Sequence, residues 1–147
     1  MKTSVTQLLN QKSSTVVTVP VSASVADAVR AMNEHRIGSV VVMSDQEIAG
    51  IFTERDVLTR VVAEGREPGR TPVRTVMTPD PVTIEPDAPI EDVMETITRR
   101  RCRHLPVVDS GRLAGLISIG DILRWLVEAH RAEAEHLRAY IAGDLAL

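Results

Sequence analysis

GIFTERD, residues 50–56, decides the fold, because GLISIGD, residues 115–121, restates it 65 positions later. In each stretch a Gly and two apolar residues, as at the end of a strand, lead into a hydroxyl, two variable positions and an Asp. Extended outward without a gap, the match aligns Val17–Leu58 with Val82–Leu123. Ten of those 42 positions are identical: Val17, Thr18, Ala23, Asp27, Arg36, Val42, Ala49, Gly50, Asp56 and Leu58. Many of the remainder pair apolar with apolar. Two copies of one supersecondary unit are therefore expected.

Each copy has the same internal punctuation. VVTV (16–19) and PVTI (81–84) are short β-like runs closed by proline. SVADAVRAMNEHR and PIEDVMETITRRR then place apolar residues at helical spacing: Val25, Ala28, Val29 and Met32 in one, Ile90, Val93, Met94 and Ile97 in the other. Ser24 suits an N-cap, and Pro89 a first helical turn. SVVVM (39–43) and HLPVV (104–108) are continuous apolar runs, as in buried strands. DQE and DSGR turn the chain back through IAGIFT and LAGLIS, and a second helix starts near Glu54 and near Ile119.

The expected class is α/β, with two pseudo-symmetric β-α-β-β-α repeats packed on each other, since one such unit alone buries too little surface. The first repeat with its lead-in spans 1–63, a Gly- and Pro-rich linker 64–72, the second repeat 73–125, and a helical extension 126–147. Val5–Leu9 and Val73–Met77 read as matching lead-in turns ahead of each first strand. Along the extension Ile122, Leu126, Leu137 and Ile141 fall near one face; its far end either meets a partner or lies back on its own domain.

Composition narrows the function. A net charge of −3 argues against phosphate-backbone binding, and an aromatic content of 2%, only Phe52, Trp125 and Tyr140, removes the stacking platforms of single-strand binders. A single cysteine, Cys102, excludes an internal disulfide and fits a reducing compartment. The first residues lack the apolar core of a signal peptide and no apolar run is long enough to cross a bilayer, so a cytoplasmic location is expected.

The repeated corner has two compatible uses. Thr53-x-x-Asp56 and Ser118-x-x-Asp121 each form a capping box, the hydroxyl and the acid satisfying opposite ends of the first helical turn. A helix N-terminus after a strand also favours phosphate, a hydroxyl there adds a donor, and a carboxylate one turn on accepts from the hydroxyls of a ribose.

With these residues in view the chain resembles a tandem pair of cystathionine-β-synthase (CBS) domains, a Bateman module. The resemblance is carried by TVPVSASVADAVRAMNEHRIGSVVVM…IAGIFTERDVL and TIEPDAPIEDVMETITRRRCRHLPVVD…LAGLISIGDIL. It implies a regulatory module that binds AMP, ATP, NAD(H) or another adenosine compound between the repeats, pairs as a homodimer, and has no catalysis of its own. On that pattern Asp56 and Asp121 each hold a ribose, with Thr53 and Ser118 near the phosphate. Adenine lies among aliphatic groups near Val19 or Ile84 and near Val41 and Pro106. Arg103 and His104 complete the Asp56 site, and Arg55 the Asp121 site, so the two sites differ. An effector protein senses the ligand. The alternative is a scaffolding module with empty clefts, its tail helix the functional surface.

Other chemistries find no support in the spacing. RRRCRH (99–104) suits a solvated helix end. Cys102 aligns with apolar Ile37, as a structural thiol would. His130 and His136 are wrongly spaced for two ligands on one helical face, and GLISIG lacks the Lys of a P-loop.

Overall fold

The computed structural model describes residues 3–12 and 15–145. Residues 1, 2, 13, 14, 146 and 147, which belong to the expected first repeat and tail, lie outside the described residues. Helix α1 (Val5–Gln11) comes first, followed by β1 (Thr18–Pro20), α2 (Val25–His35), β2 (Ser39–Ser44) and β3 (Glu47–Thr53). A single α-turn, α3 (Glu54–Asp56), runs on through π-type turns at Val57–Val62. β1 lies parallel to β2, which pairs antiparallel with β3, Ser39 opposite Thr53 and Ser44 opposite Glu47. Ser24 caps α2 as expected: its hydroxyl accepts from the Asp27 N–H at 3.1 Å.

After 3₁₀ turns at Pro68–Arg70 and Val73–Thr75, β4 (Thr78–Pro79) adds to β3. The second repeat then supplies α4 (Ile90–Arg100), β5 (His104–Asp109), β6 (Arg112–Ser118) and α5 (Ile119–Leu145). Its first strand is reduced to one contact. Ile84 bridges Val107 in parallel, its N–H reaching the Pro106 carbonyl at 3.0 Å, while the Val108 N–H reaches the Ile84 carbonyl at 2.9 Å. PVTI was expected as a short strand, but the donors that hold β1, Val21 N–H to the Met43 carbonyl at 3.0 Å and Val41 N–H to the Val17 carbonyl at 3.2 Å, are replaced here by Pro86 and Pro106, which have none. In the first repeat the strand sits one to two residues later than VVTV suggests.

Two aliphatic cores result. Val19, Val25, Ala28, Met32, Val40, Val42, Phe52 and Val61 form one; Ile90, Val93, Ile97, Leu105, Val107, Ile117 and Ile122 form the other. The lead-ins match, but they cross over. Val73 and Val76 are buried in the first core, and Val5 and Leu8 in the second. The crossing is fixed by backbone bonds, Val73 N–H to the Ala23 carbonyl at 2.9 Å and Val5 N–H to the Ala88 carbonyl at 2.9 Å.

It also explains the two aligned glycines. A Cβ on Gly50 would lie 2.5 Å from the Met77 sulfur and 2.6 Å from the Thr78 carbonyl oxygen; one on Gly115 would lie 2.6 Å from a Leu9 methyl. Each lead-in presses where only glycine leaves room. On the opposite sheet face Val41 and Ile51 are buried outside either core, and β3 touches β6.

Helix α5 begins in the second core through Ile122, with Trp125 and Leu126 packed on it. Beyond that it stands free: Leu137, Tyr140 and Ile141 are exposed, so the far end does not lie back on its own domain. Among the described residues no helix is long and apolar enough to cross a membrane.

Candidate functional site

Both hydroxyl-x-x-Asp corners cap the helix that follows them. The Thr53 N–H donates to Asp56 Oδ2 at 3.0 Å, its hydroxyl to the same oxygen at 3.2 Å, and the Asp56 N–H to Thr53 Oγ1 at 3.3 Å. In the second copy the Ser118 N–H donates to Asp121 Oδ2 at 2.8 Å and the Asp121 N–H to Ser118 Oγ at 3.2 Å. The corners are stitched down alike, Glu54 N–H to the Gly38 carbonyl at 3.0 Å and Ile119 N–H to the Arg103 carbonyl at 2.9 Å. Asp56 and Asp121 are both only 8% exposed, so neither faces bulk water. Burying a carboxylate is costly without compensation, and each has it.

The compensating cations differ between the corners, and none was expected from the sequence. Asp56 faces Arg60, Nε to Oδ1 at 3.7 Å, while the Arg60 guanidinium donates to the carbonyls of Val76 at 3.2 Å and Met77 at 3.0 Å. Asp121 meets Arg124, Nη2 to Oδ1 at 3.2 Å, and Lys12, Nζ to Oδ2 at 2.9 Å. Burial alone would raise the Asp121 pKa. The Lys12 hydrogen bond and charge, with the Ser118 donors, outweigh it and hold the carboxyl below its ordinary value. Arg60 and Arg124 stand four and three residues beyond their acids, a helical interval that could have announced them. Nothing local announces Lys12.

Of the residues expected on the phosphate side, two arginines share a cleft. Arg55 and Arg103 line the same cleft, of about 940 Å³, together with Glu54, Asn33, Arg36 and the apolar Val29, Met32, Ile37, Val57 and Leu58. Thr53, Asp56, Ser118 and Asp121 do not line it. His104 opens β5, half-buried between the corners. Burial pulls its pKa below the ordinary value, against the fields of Glu54 and Asp121, with Lys12 and Arg103 adding to the depression.

Of the aliphatic candidates, Val19 is 7% exposed, Val41 is completely buried, Pro106 is buried and Ile84 is half-buried. Val41 and Pro106 occupy equivalent positions of β2 and β5. A flat base placed against Val41 would have to part the surfaces that cover it.

Cys102 is half-buried against the second core, and burial pushes its thiol pKa up, the opposite of an activated nucleophile. The arginine run ends α4: Arg99 pairs with Glu95 one turn back, and Arg101 adopts the left-handed cap, φ 54°, that Arg36 adopts at the end of α2, φ 53°. Among the described residues no three His, Cys, Asp or Glu side chains cluster as a metal site.

Comparison with known proteins agrees with this architecture. The family model for the CBS domain matches residues 9–63 and again 73–128. The mitochondrial CBS domain-containing protein CBSX3 of Arabidopsis thaliana is 38% identical over 125 residues, covering 82% of this chain and 61% of that protein, so the chain spans less than two thirds of this relative. The crystal structure of the CBS-domain containing protein ATU1752 from Agrobacterium tumefaciens superposes with a TM-score of 0.77 at 40% identity, over 83% of this chain and 98% of the other. The CBS domain protein PAE2072 from Pyrobaculum aerophilum, complexed with AMP, shares the fold at a TM-score of 0.73 and 24% identity, over 81% and 89% of the two chains.

Proposed function

The chain belongs to the CBS-domain family, and we propose that it is a regulatory module that binds an adenine nucleotide between its repeats and catalyses nothing itself. The observation that carries this reading is the doubled corner: two buried carboxylates, each at a helix N-terminus behind a hydroxyl, in pseudo-equivalent positions. A fold neighbour complexed with AMP supports the choice of ligand class. The ribose hydroxyls go to the carboxylate and the phosphate to the positive end of the helix, with Arg55, Arg103 and His104 as the basic groups that meet it. The base goes to the aliphatic wall of Val19, Ile84, Val41 and Pro106.

Val41 is completely covered, so seating a base against it requires the repeats to shift, and a preference for the shifted arrangement is what an effector protein would sense. Pairing of two copies is part of the proposal. Leu58 and Val62 after the first corner are 65% and 64% exposed, and their equivalents Leu123 and Val127 on α5 are 55% and 54% exposed, so both repeats offer the same apolar pair outward.

The test is a thermal-shift and calorimetric titration with AMP, ATP and NAD(H). A ligand at a hundred times its Kd stabilises the fold by about 2.7 kcal/mol, which raises the midpoint measurably. Asp56→Asn should abolish that shift. Stabilisation by none of the three nucleotides would overturn the reading in favour of a scaffold, and conversion of the bound nucleotide would overturn the non-catalytic part.

A further inference from the structure

The two acidic corners are alike in sequence and unlike in company. At Asp121, Oδ2 accepts both the Ser118 N–H at 2.8 Å and the Lys12 ammonium at 2.9 Å, and Oδ1 accepts Arg124 at 3.2 Å. Lys12 also donates to the Leu116 carbonyl at 2.9 Å. This lysine is held in place. Its own N–H caps α1 on the Leu8 and Leu9 carbonyls at 3.2 and 3.1 Å, and α1 is anchored in the second core by Val5 and Leu8.

At Asp56 the same logic gives an open oxygen. Oδ2 is taken by the Thr53 N–H and hydroxyl, but among the described residues Oδ1 accepts no hydrogen bond, Arg60 standing 3.7 Å away with its guanidinium on two carbonyls. The lead-ins explain the contrast. Lys12 follows Leu9 by three residues, and the residue that follows the equivalent Met77 by three is Asp80, an exposed acid. An acid cannot neutralise Asp56. One lead-in therefore ends in a cation that reaches the carboxylate of the far repeat, and the other ends in a group that cannot.

We propose that Lys12 is a built-in occupant of the second seat, closing Asp121 to a ribose so that each chain takes one adenine nucleotide, at Asp56. This rests on the nucleotide reading above and assigns the inequality of the two seats to a single side chain. The ribose hydroxyls need acceptor oxygens: at Asp121 the Ser118 N–H and the anchored Lys12 ammonium fill Oδ2, whereas Arg124 on Oδ1 is 73% exposed and free to swing aside. Lys12 is thus a specificity-determining residue by exclusion.

Calorimetric titration with AMP tests it on the wild type, Lys12→Met, Lys12→Arg, Asp56→Asn and the Lys12→Met/Asp56→Asn double variant, each checked for folding by circular dichroism. The wild type and Lys12→Arg should bind one AMP per chain, Lys12→Met two, Asp56→Asn none, and the double variant one. Two AMP per wild-type chain would end the closure and leave the nucleotide reading standing. So would a Lys12→Met protein that still binds one, or that binds more weakly, which would make Lys12 a ligand contact. Binding of AMP, ATP and NAD(H) by none of the proteins would end the nucleotide reading, and the closure with it.

Discussion

Thr53 and Ser118 show how much a single side chain contributes at each corner. Each hydroxyl accepts the N–H of an Asp that is nearly buried. Thr53→Ala should cost about 1 kcal/mol, as for other lost N-caps, and Thr53→Ser should restore most of it, read from urea unfolding midpoints. His104 gives the corners a pH dependence. Burial makes it bind a proton less readily in the fold than in the unfolded chain, whose value is 6.5. Its contribution is therefore complete above that value and is lost as the pH falls through the depressed folded pKa. His104→Gln should flatten the decline in stability that sets in as the pH falls below 6.5, measured by urea unfolding at each pH. At this scale the acids were legible because the chain writes them twice. Lys12 was not, because its partner lies 109 residues away and the pairing depends on which repeat α1 joins.

Among the elements, the helices and hairpins follow directly from periodicity and turn chemistry, as with Ser24 ahead of α2 and the hairpin turn in which Ser110 and Gly111 both have positive φ. The weak first strands do not, since the apolar run PVTI says nothing about the donors that Pro86 and, on the neighbouring strand, Pro106 lack. The aligned glycines were visible but mute; only the crossed lead-ins give them a reason. They should respond differently to Ala. At Gly115 the added methyl meets the end of the Leu9 side chain, whereas at Gly50 it also meets the Thr78 carbonyl. Both substitutions should destabilise by about 1–3 kcal/mol through overpacking. Leu9→Ala should relieve Gly115→Ala in a double-mutant cycle, and Met77→Ala should leave most of the Gly50→Ala penalty in place. Full relief at Gly50 would show that the backbone there yields.

In the molecule as a whole, the pseudo-two-fold puts Leu58 and Val62 on one repeat where Leu123 and Val127 stand on the other. Leu58→Asp and Leu123→Asp should each weaken self-association at least tenfold in sedimentation equilibrium while leaving the monomer folded, because both side chains are already exposed. A chain that stays dimeric with both substitutions would rule out this face. The crossing of the lead-ins has a further effect, on how the chain must be made. Val5 and Leu8 emerge from the ribosome long before Leu105 and Ile117, the neighbours they will bury against, and the first core waits for Val73 and Val76. Neither half can finish alone. The two are laced like a shoe, each eyelet threaded by cord from the other side, and a nascent chain cut between them is left with both ends undone.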